Sequence, residues 1–466
     1  MDIDMNNQET VETQEVLPTL REKISYGLGD TACNVVNGLV FSLITLFYTD
    51  YVGVSAATVG LVMLLSRCFD GVSDVIMGVI VSKTKSKWGQ ARPWLLWMAV
   101  PYGLATISML MVPQTSSTMQ FIYILVTYNL CTTVCYTAIN VPYGTLATKM
   151  TRSSLGRDLL GVFRMGLSPM GRILSVTFTL PLIKFFGDDQ AAWVKAMSIW
   201  AVVAVIMLFV CFKNCEERVV IKAAQEQKGS FFQQLKGVLN NRYFWLVLVL
   251  WAVQASYATV FGTVAPYYCK YILGNDSWLY SMLYLLETGV LIAGVLISPL
   301  LLKRFGKRNL ALAGSFVSIG AQLLLLINPT SASWVFITTV VRALGTVPLN
   351  AFVMGMLGDV IEYGQWKNHV REESLTVSAG CMGVKFGQGI AGAVIGWILQ
   401  FSGYISSTAG SAIQPSSALN MISNLFIWGP ALLWLIAVVV LIFYKLDKIY
   451  PTIINELKSR ESRGEL

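Results

Sequence analysis

The densest chemistry in this chain of 466 residues sits in one otherwise apolar stretch, Arg67-Cys68-Phe69-Asp70-Gly71-Val72-Ser73-Asp74. On a helix turning about 100° per residue, Arg67, Asp70 and Asp74 fall within about 60° of one another. Asp70 and Asp74 are one turn apart and stack on a single face. Two carboxylates so close cannot both stay ionised in a low dielectric without a partner, so they either share a proton or bind a cation. The hydroxyls of Ser73 and Thr137 add oxygens, making a small, hard site suited to Na⁺, Li⁺ or H⁺. The competing reading is a structural salt bridge from Arg67 to one aspartate, with the other facing an aqueous cavity. Three charges on one stripe favour the cation site, because charge within a span costs roughly 2.5–3.5 kcal/mol per residue on insertion scales.

Other polar groups interrupt apolar stretches elsewhere. Arg164 and Arg172 lie eight residues apart, and Arg342 and Lys385 stand in two further stretches. Such cations either balance the aspartates or anchor carboxylates and hydroxyls of a substrate. Asn34, Asn37, Asn140 and Asn350 place amides within apolar stretches as well. Amides with aromatic rings suit a polyhydroxylated ligand; interhelical hydrogen bonding is the alternative for any one asparagine. Glu287 either pairs with a basic residue across the fold or is a second protonatable group. Cys131/Cys135 and Cys211/Cys215 are each one helical turn apart with no third ligand nearby, and the only histidine, His369, lies in a loop; packing cysteines are expected, and no metal. Gly387-Gln388-Gly389-Ile390-Ala391-Gly392 matches a dinucleotide-binding pattern literally. No strand precedes it, and small residues within an apolar span serve close helix packing.

The elements that must position these groups are membrane spans. Hydrophobic residues make up 55% of the chain and charged ones 13%, about half the charge of a soluble globular protein. Apolar runs of about twenty residues suffice to cross the hydrocarbon core as helices. Twelve are expected, near 34–54, 57–82, 93–113, 119–142, 159–184, 191–212, 243–268, 278–302, 310–328, 332–358, 374–404 and 419–444. Residues 1–20 are polar and acidic, with no cleavable signal. The net charge of +8 reports orientation rather than a nucleic-acid partner. Of the 34 Lys and Arg, 26 fall in alternate loops that include both tails, and the opposite loops hold only Lys184 and Lys270. By the positive-inside rule both termini and the 213–242 loop are cytoplasmic. The fold class expected is an all-α membrane protein of twelve transmembrane helices in two six-helix bundles: a tail 1–24, a bundle 25–212, a linker 213–242, a bundle 243–444 and a tail 445–466. The loops Lys87-Trp88-Gly89-Gln90-Ala91-Arg92 and Arg304-Phe305-Gly306-Lys307-Arg308 echo each other, an internal repeat typical of the major facilitator fold.

The chain resembles the glycoside-pentoside-hexuronide:cation symporters, typified by melibiose permease and, more closely, glucuronide permease, over about 21–445. The resemblance is carried by Tyr26-Gly27-Leu28-Gly29-Asp30, Phe47-Tyr48-Thr49-Asp50, the Arg67–Asp74 stretch, Lys87–Pro93, Tyr136-Thr137-Ala138-Ile139-Asn140-Val141-Pro142-Tyr143, Asp359-Val360-Ile361-Glu362-Tyr363-Gly364 and Arg371-Glu372-Glu373-Ser374. It implies a cation site at Asp70, Asp74, Ser73 and Thr137, and a sugar pocket involving Asn34, Asn140, Arg164, Asn350, Cys381 and Lys385. Arg67, Arg172, Glu287, Arg92, Arg308, Asp359 and Arg371 are expected to form the charge network and gates. Asn34 and Asn140 replace aspartates of melibiose permease, Ser73 replaces an asparagine, and Ser82 stands where the family usually has aspartate. The function implied is symport of a sugar or sugar acid with Na⁺ or H⁺ across a bacterial inner membrane, by a monomer surrounded by lipid, without a cofactor and without enzymatic activity. Transport of another organic anion, sulfonated or lipid-like, is the alternative. A sensor or channel fits less well, since no soluble signalling domain or Walker motif is present and a passive pore needs no paired halves with midplane charge.

Overall fold

The computed structural model describes residues 17–151, 154–218, 237–274, 277–368, 373–406 and 413–463. Among them there are helices and no strands. The first, α1 (Leu20–Ser42), starts at a capping box in which Thr19 and Glu22 satisfy each other's backbone N–H groups. The span therefore begins well before position 34, where the apolar run starts. A bend of 46° separates α1 from α2 (Ile44–Asp50). There follow α3 (Ala56–Lys83), α4 (Arg92–Ser108), and α5 (Ser117–Asn129), which runs through a π-helical turn, Leu130–Cys135, into α6 (Tyr136–Met150). The first half closes with α7 (Ser154–Phe186) and α8 (Gln190–Asn214). The second contains α9 (Arg242–Tyr271), α10 (Ser277–Phe305), α11 (Lys307–Leu325), α12 (Ala332–Asn368), α13 (Glu373–Phe401) and α14 (Ser416–Phe443). The expected C-terminal tail is itself helical, as α15 (Leu446–Ser462), because Ile453 and Leu457 bury against the second half.

Nine helices among the described residues are long and apolar enough to cross a membrane, ten if the bent pair α1–α2 is one span. Large apolar side chains such as Leu296, Leu300, Leu432 and Phe401 are exposed on the helices, as a lipid-facing surface requires. Within the first half α1 packs on α7 and α8; within the second, α9 packs on α13 and α14, and α12 on α10 and α11. The halves meet where α3 lies along α13 and α7 along α10. The α3–α13 seam is set by small residues. A Cβ on Gly396 would collide with the Ala56 carbonyl oxygen, and one on Gly60 would come within 3.0 Å of the Ala393 Cα. The Gly387–Gly392 run thus serves helix packing, with Gly389 over Arg67 and Gly392 over Met63.

Candidate functional site

The site grows from α3 and the broken helix facing it. Arg67 pairs with Asp70 at 2.9 Å on their shared face. The π turn inserts a residue into the α5–α6 rod, and Thr133 and Thr137 both reach α3 across it. Thr133 Oγ1 donates to Asp70 Oδ1 at 2.6 Å, and Thr137 Oγ1 to Asp74 Oδ1 at 3.1 Å. Ser73 Oγ lies 3.3 Å from Thr137 Oγ1 and donates to the Asp70 carbonyl. The structure thus gathers the four residues expected for cation binding and adds Thr133. Asp74 also closes an ion pair with Lys385 of α13, in the other half. Lys385, expected in the sugar pocket, is a charge partner of the acidic pair here. Depth differs within the pair: the Asp70 side chain is 6% exposed and that of Asp74 40%. Cys381, one turn from Lys385, is exposed.

Arg164 is likewise paired. It meets Asp30 of α1 at 3.1 Å and stacks over Tyr143, whose ring is in turn stacked on Tyr26. Glu287 finds its partner across helices in Arg342, at 2.5 Å, and also accepts from Tyr257. Arg342 is almost wholly buried, against Phe261. Two open alternatives thus resolve to ion pairs.

Between the halves lies a cavity of about 430 Å³, within the range of sites that enclose small ligands. Asn34, Arg172, Glu287 and Asn350 line it, as do Gln254, Gln388, Trp251 and Tyr284. Asn34 donates to Ser168 Oγ at 2.8 Å. Arg164, Asn140, Cys381 and Lys385 are absent from this lining. The first and last are drawn into ion pairs elsewhere, so of the six pocket residues expected from sequence only Asn34 and Asn350 line the cavity. Gln254 and Gln388 join the cavity beyond the residues expected from sequence, although polarity within an apolar stretch is a usable signal.

One end of the cavity is sealed. Asp50, with no exposed side-chain surface, ends α2 and accepts hydrogen bonds from Lys270, Tyr271 (2.6 Å) and Tyr404 of the other half, and from Thr49 (2.8 Å). Thr49 also meets Tyr267 at 2.8 Å, and Ser406 donates to the Val54 carbonyl at 2.9 Å. Thr49 and Asp50 stood in a motif and Lys270 among the loop charges, but nothing in the local pattern joined them, because the members come from three distant segments.

At the opposite end the two repeated loops adopt one plan. Gly89 and Gly306 both take positive φ, 105° and 78°, which glycine adopts without strain. Arg92 donates through Nε to the Phe212 carbonyl at 2.7 Å, capping the end of α8, and Arg308 to the Leu441 carbonyl at 2.7 Å, capping α14. Glu217 accepts from the backbone N–H groups of residues 90–92, and Asp447 from that of Arg308. These arginines, expected at a gate between halves, bind within their own halves here. Asp359 likewise pairs with Lys307 at 2.6 Å, and Arg371 lies outside the described residues.

Long apolar helices packed around a cavity lined by amides, aromatic rings and a guanidinium, with paired charges where α3 meets α13, fit a transport protein. A family model described as MFS/sugar transport protein matches residues 25–448, and the chain belongs to that family, among its glycoside-pentoside-hexuronide:cation symporters. It is 33% identical to the isoprimeverose transporter of Lactiplantibacillus pentosus, over 95% of this chain and 92% of that protein. It is 32% identical to the putative glycoside/cation symporter YagG of Escherichia coli (strain K12), over 96% and 97%. In fold it is similar to a bacterial homologue of the lysosomal transporter Spinster in an inward-facing, unoccupied conformation, with a TM-score of 0.66 at 13% identity, covering 93% of this chain and 97% of that one.

Proposed function

We propose that the protein carries a glycoside across the cytoplasmic membrane together with Na⁺ or H⁺, by alternating access of two six-helix halves, 25–212 and 243–444, joined by 213–242. In this reading α1–α2, α3, α4, the α5–α6 rod, α7 and α8 to α14 are the twelve spans. The positive-inside rule puts both termini, and the repeated loops, in the cytoplasm. The Asp50 cluster then closes the outer face, and the exposure of Asp74 and Cys381 corresponds to an inward-open cavity. The protein acts as a monomer.

The observation that carries the reading is the Asp70/Asp74 pair. Each carboxylate has one hydroxyl and one basic group on it, and the basic group on Asp74 comes from the opposite half. A cation entering among Asp70, Asp74, Ser73, Thr133 and Thr137 competes with Lys385 for Asp74. When the cation leaves, Lys385 returns and neutralises the Asp74 carboxylate. Ion occupancy is thereby tied to a contact between the halves. Asn34, Asn350, Gln254 and Gln388 supply hydroxyl-directed groups, and Trp251 and Tyr284 offer aromatic faces.

The test is uptake of radiolabelled glycosides into proteoliposomes under separately imposed Na⁺ and H⁺ gradients. Accumulation driven by one of them, lost in Asp74→Asn, is expected. Wild-type uptake indifferent to both gradients overturns the coupling.

A further inference from the structure

The Glu287–Arg342 pair is asymmetric about the cavity wall. Glu287 of α10 lines the cavity and keeps 11% of its side chain accessible. Its partner on α12 does not: Arg342 is 2% exposed and absent from the lining. The guanidinium lies over the Phe261 and Phe426 rings, at 4.5 and 5.6 Å. Phe261 itself lines the cavity. The pair is thus layered, with the anion in the wall and the cation behind it.

Donors fix the carboxylate through both oxygens. Arg342 Nη2 donates to Oε2 at 2.5 Å, and the Tyr257 hydroxyl, from α9, donates to Oε1. Three helices, α9, α10 and α12, therefore set its position. A carboxylate offers about four lone-pair directions and no proton, so two donors leave about two directions unfilled. A buried ion pair is seldom more stabilising than apolar side chains of similar volume. Stability alone therefore does not account for a carboxylate set in this wall. What the arrangement supplies is an acceptor already oriented at the edge of the cavity.

We propose that Glu287 is a binding residue for the transported sugar, accepting a hydrogen bond from one sugar hydroxyl, with Arg342 and Tyr257 as its positioning residues. This rests on the sugar-transport reading and names a group through which the second half grips the substrate. Because the carboxylate only accepts, the hydroxyl it reads must donate. A hydrogen bond to a charged acceptor is about twice as strong as one between neutral groups. One hydroxyl position therefore outweighs those met by amides such as Asn350.

The parent probes are phenyl β-glucoside and phenyl β-xyloside. The tighter binder is compared with its monofluorinated derivatives, each with one hydroxyl replaced by fluorine, which is similar in size and cannot donate. Binding to the purified full-length protein in nanodiscs is measured by calorimetry, with Na⁺ present and at two pH values. Fluorination at one position is expected to weaken binding at least about tenfold, the worth of a hydrogen bond to a charged group. Glu287→Gln, whose amide can donate to fluorine, should remove most of that loss and leave the losses at other positions as in wild type. Glu287→Asp keeps a charge opposite Arg342, and so spares the fold, but draws the carboxylate back by one methylene; it should shrink the same loss. A wild-type series in which no position loses tenfold overturns the proposal while leaving sugar transport standing, and needs no variant. Equal weakening of the parent and every derivative by Glu287→Asp also overturns it, with a structural role for Glu287. Binding of neither parent to wild type counts against the sugar-transport reading itself, and the proposal falls with it.

Discussion

Replacing Asp50 by asparagine should open the sealed end of the cavity. The amide keeps the shape and most hydrogen bonds of the carboxylate it replaces, with the Tyr271, Tyr404 and Thr49 hydroxyls still in reach. What is lost is the charge opposite Lys270, whose side chain is 9% exposed while that of Asp50 is fully buried. Breaking a buried ion pair from one side costs about 3–5 kcal/mol, because the remaining charge stays uncompensated. That cost falls only on the arrangement in which this end is shut, since water reaches Lys270 once the halves part. Even about 3 kcal/mol moves the equilibrium between the two arrangements on the order of a hundredfold. Two readouts follow it. Spin labels at Val54→Cys and Ser406→Cys, positions in contact across the seal, should report a short distance in the wild-type background and a longer one with Asp50→Asn. In a background retaining only Cys381, labelling by an impermeant maleimide from the cytoplasmic side should fall. Removing both charges, with Lys270→Met added, should restore part of the closed population. An unchanged distance distribution and unchanged Cys381 labelling in Asp50→Asn would refute the assignment of this cluster as a latch.

Asp70→Asn or Asp74→Asn should abolish accumulation of sugar against its gradient while exchange or binding survives; a mutant that still concentrates substrate removes the basis for the cation site. Thr133→Val and Thr137→Val should each raise the cation concentration needed for half-maximal uptake about tenfold, the worth of one hydrogen bond to a charged group. No change in either would mean that the hydroxyls only brace the helices. Arg92→Gln and Arg308→Gln remove matching caps on α8 and α14, so both should lower the melting temperature of the purified protein. If Arg92→Gln instead leaves stability intact and shifts Cys381 labelling, its role lies between the halves after all. Gly396→Val should separate α3 from α13, because even a Cβ there collides with the Ala56 carbonyl. The Val54–Ser406 distance measures that separation, and a wild-type distance would contradict the close packing.

Much of this molecule is a consequence of local sequence. Span content follows from apolar run length, and the shared face of Arg67, Asp70 and Asp74 from the helical period alone, since neither needs a neighbour to be specified. The repeated loops around Gly89 and Gly306 were legible for the same reason: an aromatic, a glycine and basic residues recur within a few consecutive positions. The start of α1 was missed because a capping box, not hydropathy, sets it. Partner choice was decided only in the tertiary structure. Lys385 reaches Asp74 across 311 residues, Arg164 reaches Asp30 across 134, and Arg342 reaches Glu287 across 55. In a low dielectric any of these cations satisfies any of these carboxylates, so residue type leaves the pairing degenerate. Which pairs form is settled by the depth at which each helix crosses its neighbour, and that depth depends on contacts such as Gly396 against Ala56.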